Sequence, residues 1–233
     1  LPAAIAAPTP VSSLVHSSTL VTAGVYVIIR FNFIFTKITL PLLIIGLITL
    51  LLARINAIFE FDLKKIIAFS TLRQLGLIIH ILAYQLPNYV FFHLISHAMF
   101  KSLLFLCSGI IIHFLINLQD IRLIGSLIYE SLLVIIFFNY SNLSLCGFPF
   151  LSGFYSKDLI FEITLNFLIN PIIITLIYFS ISLTIFYSFR LIFYLTFNIP
   201  HSSPITLKKD NILINFSIFI LFIISIIFGN LIN

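Results

Sequence analysis

The sequence predicts an all-α fold: a polytopic transmembrane helix bundle of about seven spans plus one broken helix, organised as a single transmembrane domain over residues 1–233. Composition is the first observation behind it. Hydrophobic residues fill 61% of the chain and charged residues only 8%, whereas a soluble domain carries about a quarter charged residues to cover its surface. Run length is the second, because the apolar segments approach the roughly 20 residues that a helix needs to cross about 30 Å of hydrocarbon. Thirdly, the runs are continuous and do not alternate apolar with polar, as the strands of a membrane barrel must. The net charge of +5 is spread thinly between the runs. It marks the ends of spans and lacks the clustered basic face that nucleic acid requires. The lipid bilayer is therefore an expected partner and nucleic acid is not.

The first span, Val11 to Arg30, follows Ala7-Pro8-Thr9-Pro10, a segment that stops any helix arriving from upstream. Ser12, His16 and Thr19 fall at i, i+4 and i+7, giving a small, hydroxyl-rich face suited to close packing and able to hold water. A second span runs from Ile38 to Phe59 and a third from about Leu63 to Leu82. Glu60 and Asp62 precede the third, where acids suit the positive end of the helix dipole. Tyr89 to Leu115, Leu123 to about Cys146, Pro171 to Phe197 and Ile212 to Ile232 supply four more. Phe148 to Ile169 differs: Gly147, Pro149 and Gly153 lead into Lys157 and Asp158, the pattern of an interrupted helix. Asn32 to Lys37, Gln85 to Asn88, Asn117 to Arg122 and Asn198 to Asp210 read as loops, all too short for a soluble domain. The chain lacks an initiator methionine and a signal-peptide pattern, so an internal piece of a longer protein is expected.

Polar residues within these runs carry the functional information, since a charge near the bilayer centre costs about 2.5–3.5 kcal/mol on insertion scales. His93, His97 and Lys101 lie at i, i+4 and i+8 of the fourth span and drift only about 80° around the helix. Phe91, Phe92, Leu94 and Ile95 surround them, which places this stripe against protein or water and away from lipid. Imidazole titrates near neutrality, so the row suits proton transfer; hydrogen-bonded structural histidines with an interfacial lysine form the competing reading. Zinc at His93 and His97 lacks a third ligand. Lys64 and Lys65 stand just inside the third span, and Arg73 with Gln74 sits mid-span with no partner within a turn. Lys157 and Asp158 follow the break. Broken helices beside a buried charge build the ion sites of many transporters, while a water-exposed helix end is the alternative. Cys107 and Cys146 lie in apolar runs and read as small packing residues. One further oddity is compositional: no Trp and one Met stand beside 27 Phe and 46 Ile, although interfacial Trp is usual in membrane proteins.

Longer motifs then become legible. Leu1 to Tyr26 (LPAAIAAPTPVSSLVHSSTLVTAGVY), Asp62-Leu-Lys-Lys-Ile-Ile-Ala68, Ser96-His-Ala-Met-Phe-Lys-Ser-Leu-Leu-Phe-Leu-Cys107 and Phe154-Tyr-Ser-Lys-Asp158 occur in order along nearly the whole chain. Together they resemble the antiporter-like, proton-translocating membrane subunits of mitochondrial NADH:ubiquinone oxidoreductase, respiratory complex I, which are related to the cation/proton antiporters. The resemblance implies an antiporter-like fold of which this chain is the C-terminal half. It implies a multi-pass location in the mitochondrial inner membrane, the other membrane-arm subunits of complex I as partners, and proton pumping coupled to electron transfer from NADH to ubiquinone. It implies no catalytic, cofactor or metal site in this chain, because NADH, flavin, iron–sulfur clusters and ubiquinone belong to other subunits.

Carried over by position, His16 resembles a histidine that passes protons laterally. Lys64, with Lys65 beside it, resembles a lysine of the central hydrophilic axis, and His93, His97 and Lys101 resemble the axis residues that link the two half-channels. Lys157 resembles the lysine of the second broken helix, with Asp158 adjacent. Two positions depart from the pattern: Arg73 stands where the resemblance implies a serine, in a Ser-Thr-Leu-Ser-Gln run, and Arg54 stands in a stretch that is small and uncharged in the family. A stand-alone cation/proton antiporter subunit and a non-functional truncated reading frame are the alternatives.

Overall fold

A computed structural model describes residues 19–115, 118–125, 127–129, 131–167, 170–198 and 212–231. Eight helices of more than ten residues organise them, and no strand occurs among the described residues. They are α1 (Leu20–Arg30), α2 (Thr39–Phe59), α3 (Leu63–Leu82), α4 (Pro87–Phe114), α5 (Leu132–Cys146), α6 (Ser152–Phe167), α7 (Pro171–Ile192) and α8 (Ile212–Leu231). Four segments are long and apolar enough to cross a membrane, namely Asn32–Phe59, Leu63–Leu82, Pro87–Phe114 and Pro171–Phe197, with α5 and Ile214–Gly229 of α8 as shorter apolar helices. Residues 11–18 of the expected first span, His16 included, lie outside the described residues.

Two boundaries differ from expectation. Asn32–Phe35 forms a helical turn followed by a 3-10 turn, Thr36–Ile38, in place of a loop. Nothing between Phe31 and Ile38 is Gly or Pro, so no residue there breaks the helical path. The fifth span begins at Leu132, not Leu123, because residues 118–125 are held as a surface loop. Leu63 N–H donates to the Gln119 carbonyl (2.9 Å) and Ile121 N–H to that of Phe61 (3.0 Å). Arg122 then grips the Asp120 carboxylate through Nε (3.1 Å) and NH2 (2.7 Å) and lies 4.2 Å over the Phe61 ring. This guanidinium holds the Asp120 carboxyl below the usual carboxylate range.

Packing follows from where small and large residues fall. The α2 and α3 backbones run close together, since a Cβ on Gly46 would sit 2.7 Å from His80 N and one on Gly76 2.8 Å from Leu50 N. Small residues at such crossings let membrane helices approach and gain dispersion energy that lipid tails do not supply. Leu40, Ile44, Ile48 and Leu52 of α2 recur every fourth residue and are exposed; this is the stripe that faces lipid.

Inside, the apolar core divides in two. One cluster joins the start of α3 to the end of α4 and the start of α5, through Leu63, Ile66, Phe105, Ile111, Val134 and Phe138. The other joins the opposite ends of α3 and α4 to α6, through Leu77, Ile81, Leu82, Val90 and Ile160. Between them lies a layer of buried polar residues.

Candidate functional site

The polar layer begins at the break between α5 and α6. Gly147 ends α5 at φ +87°, a left-handed conformation that glycine adopts without steric cost. Phe148 N–H reaches back to the Leu143 carbonyl and Gly147 N–H to that of Ser144, both at 3.2 Å, the paired bonds of a Schellman motif. Phe150, at φ 65°, turns the chain again before Ser152 starts α6. Where the two half-helices cross there is no room for a side chain: a Cβ on Gly153 would lie 1.8 Å from the Ser144 carbonyl oxygen.

Breaking a helix within the bundle leaves carbonyls without intrahelical partners, and at membrane depth they must be satisfied by protein or water. Lys157, 2% exposed, does so. Its Nζ donates to the Cys146 carbonyl at 2.9 Å, placing a cation at the negative end of the α5 dipole. Arg73 NH2 reaches the Leu145 carbonyl at 3.4 Å. Asp158 is half-buried beside the same turn, its Oδ1 3.3 Å from where a Cβ on Gly147 would stand.

The α4 stripe faces this break and α3. His93 is fully buried, with Nδ1 3.1 Å from Ser156 Oγ on α6 and Nε2 3.2 Å from Gln74 Oε1 on α3. Ser156 Oγ also lies 3.2 Å from the Ser152 carbonyl. The arrangement satisfies two protonation states. Imidazolium donates to Gln74 and to Ser156, whose own hydroxyl turns to Ser152; neutral imidazole keeps the Gln74 bond and accepts from Ser156 at Nδ1. His97 follows one turn along, 6.4 Å from His93 between ring centroids and edge-on to Phe100 at 5.5 Å. Neither of its ring nitrogens has a partner among the described residues, and buried polar atoms of this kind are commonly satisfied by internal water. Lys101, also fully buried, donates to Ser70 Oγ on α3.

The structure thus brings together His93, His97, Lys101 and Lys157, with Asp158 at the edge. It does not bring Lys64 or Lys65 into the layer. Lys64 is half-buried on the first turn of α3, six residues, or about 9 Å of helix, short of Ser70. Lys65 is exposed and paired with Asp62 (2.8 Å) and Glu60 (3.9 Å). Among the described residues no three His, Cys, Asp or Glu side chains come together as a metal site.

Several participants went unrecognised in the sequence. Ser70, Gln74 and Ser156 carry the bonds just described. Cys146, expected to be a packing residue, offers its carbonyl to Lys157 and its Sγ lies 2.7 Å from Ser188 Oγ on α7. Asn142 Nδ2 donates to the Ser188 carbonyl at 3.0 Å. Hydroxyls at helical spacing signal such a face, but only the fold decides which helix it meets.

A broken helix with a lysine at its break, packed against a helix with a His-His-Lys stripe in a bundle whose described residues hold four helices long and apolar enough to cross a membrane, defines a polytopic membrane protein with a buried ionisable layer. The chain belongs to the NADH:quinone oxidoreductase/Mrp antiporter transmembrane family, whose sequence model matches residues 1–186. It is 50% identical to the NADH-ubiquinone oxidoreductase chain 5 proteins of Aedes aegypti and Locusta migratoria, over 236 residues in the mosquito protein and the whole of this chain in both. It is 45% identical to that of Apis mellifera ligustica over 98% of this chain. In each case it spans 41% of the relative's length. The fold matches a chain in the structure of the membrane-bound sulfane sulfur reductase, an archaeal respiratory membrane complex, with a TM-score of 0.83 at 24% identity, covering 98% of this chain and 48% of that one. It also matches a chain of the Mrp complex from Dietzia sp. DQ12-45-1b, with a TM-score of 0.83 at 26% identity, covering 97% of this chain and 25% of that one.

Proposed function

We propose that the chain forms part of a proton-translocating membrane subunit of NADH:ubiquinone oxidoreductase. The relatives' names and the family support the complex. The observation that supports the chemistry is that two wholly buried lysines, Lys101 and Lys157, bond among the described residues only to neutral groups, a serine hydroxyl and a backbone carbonyl. A hydroxyl both donates and accepts, and a carbonyl accepts from ammonium or amine alike. Each lysine therefore keeps its bond with or without its extra proton. His93 has the same tolerance through Ser156 and Gln74. Protons pass along Lys101, His97, His93 and Lys157 through hydroxyls and internal water, with His16 as a lateral link and Lys64 as the member of the axis that stands outside the buried layer. Charge on one lysine raises the cost of charge on the next, so the sites load and release in turn.

On this reading the chain performs no redox chemistry. NADH, flavin, iron–sulfur clusters and ubiquinone sit in other subunits, the partners are the membrane-arm subunits and the lipid bilayer, and the location is the mitochondrial inner membrane. The decisive measurement is NADH-driven proton uptake into vesicles holding an intact complex with Lys101→Met or Lys157→Met in its full-length subunit. Uptake is expected to fall about tenfold, as about 1.4 kcal/mol of added barrier would produce, with assembly retained. Normal uptake in both variants overturns the proposal. Proton movement driven by a cation gradient without NADH favours a stand-alone antiporter, to which the Mrp likeness points.

A further inference from the structure

Arg54 and Arg73 head the largest side chains wholly buried in the bundle, and their surroundings do not match their chemistry. All three guanidinium nitrogens of Arg54, and Nε and NH1 of Arg73, lack a partner among the described residues. The two lie within electrostatic range of each other, and Arg73 lies within range of Lys101, Lys157, His93 and His97 as well. Among the described residues no Asp or Glu is buried to answer these charges. An unpaired buried cation is strongly unfavourable, and guanidinium, which stays charged, has no neutral form to retreat to.

Two other arginines behave differently. Arg122 is bidentate on Asp120, and Arg190 donates to the Ala57, Ile58 and Glu60 carbonyls. These arginines are used by the fold; among the described residues Arg54 hydrogen-bonds to nothing and Arg73 only to the Leu145 carbonyl, through NH2 at 3.4 Å. Ala53, Ala57, Ser70 and Thr71, close by on α2 and α3, are small and buried. Serine suits both positions, because a helical hydroxyl bonds the carbonyl one turn earlier, as Ser70, Thr71, Ser141 and Ser144 do.

Composition gives a single cause. The relatives named above are mitochondrial-type subunits of insects, and invertebrate mitochondria read AGA and AGG as serine, AUA as methionine and UGA as tryptophan. The standard code reads them as arginine, isoleucine and stop. A frame read by the standard code is therefore poor in Met, rich in Ile and free of Trp wherever UGA is the Trp codon in use; one Met, 46 Ile and no Trp are present here.

We infer that codons 54 and 73 are AGA or AGG and that the polypeptide made in the cell carries serine at both positions. The polar layer then keeps Lys101 and Lys157 as its buried cations and gains a hydroxyl at position 73, among the groups of the proposed path. That consequence rests on the proposed function; the residue identity does not. Tandem mass spectrometry of the chain purified within its native membrane complex tests the identity. Serine is expected at 54 and 73, with no tryptic cleavage after either, arginine retained at 122 and 190, and methionine at a share of the positions written as isoleucine. Arginine at 54 or 73 overturns the inference whatever the complex does with protons.

Discussion

At the residue scale, the unit that matters is a buried side chain whose partners bond it in more than one protonation state. His93 shows this most fully, because Ser156 is both acceptor and donor to Nδ1 while Gln74 holds Nε2. Removing the Ser156 hydroxyl leaves Nδ1 without its partner, and a hydrogen bond of this kind is worth about 0.5–1.5 kcal/mol net. Ser156→Ala in the assembled complex is therefore expected to slow proton uptake several-fold while NADH oxidation by uncoupled membranes and assembly stay normal, and Ser156→Thr restores the rate. Equal loss of oxidation and uptake would mark a structural role. The spacing of His93, His97 and Lys101 showed the stripe in the sequence. It did not show the partners, because Ser156 lies 63 residues from His93 and Ser70 lies 31 from Lys101. Nothing local in the sequence couples positions so far apart.

At the element scale, the broken helix was legible from Gly147, Pro149 and Gly153, because glycine and proline there have few other uses. Its geometry was not, since Gly153 is fixed by a neighbour: the Ser144 carbonyl occupies the space a Cβ would need. Gly153→Ala must push the half-helices apart. Overpacking costs typically 1–3 kcal/mol, so thermal unfolding in detergent should show a lower Tm, whereas Gly24→Ala, with nothing within 4 Å, should leave it unchanged. A Gly153→Ala Tm equal to that of the Gly24 variant would count against the crossing.

The 118–125 loop carries a pH dependence at the same scale. Its Asp120 carboxyl is held below the usual range by Arg122, so its contribution is present at neutral pH and is lost as pH falls through that lowered value. Amide exchange protection at Ile121 should persist into the ordinary carboxylate range near pH 4 and collapse only below it. Asp120→Asn should lose that dependence.

At the scale of the whole molecule, two apolar cores flank the polar layer, and their separation must be maintained for the layer to exist. Span positions were legible because lipid imposes length and apolarity; helix order in space was not, because lipid-facing and buried apolar residues look alike. Arg190 is one of the ties between distant helices. From the end of α7 it donates to the Ala57, Ile58 and Glu60 carbonyls at the end of α2, closing that end over Phe61, whose ring it also faces at 5.7 Å. Those carbonyls are the ones a helix C-terminus leaves unpaired, and a planar fork reaches them from two separate nitrogens, whereas an ammonium directs its three donors from a single point. Arg190→Lys should therefore cost about 1–2 kcal/mol and Arg190→Ala about 2–3, near one charged hydrogen bond or more. The check is the denaturation midpoint of the assembled complex in detergent, read beside proton uptake. A tie that acts only on stability moves the midpoint in the order wild type, Lys, Ala and leaves uptake per folded complex unchanged. Loss of uptake in a fully folded Lys variant would instead place this end of the bundle on the proton path.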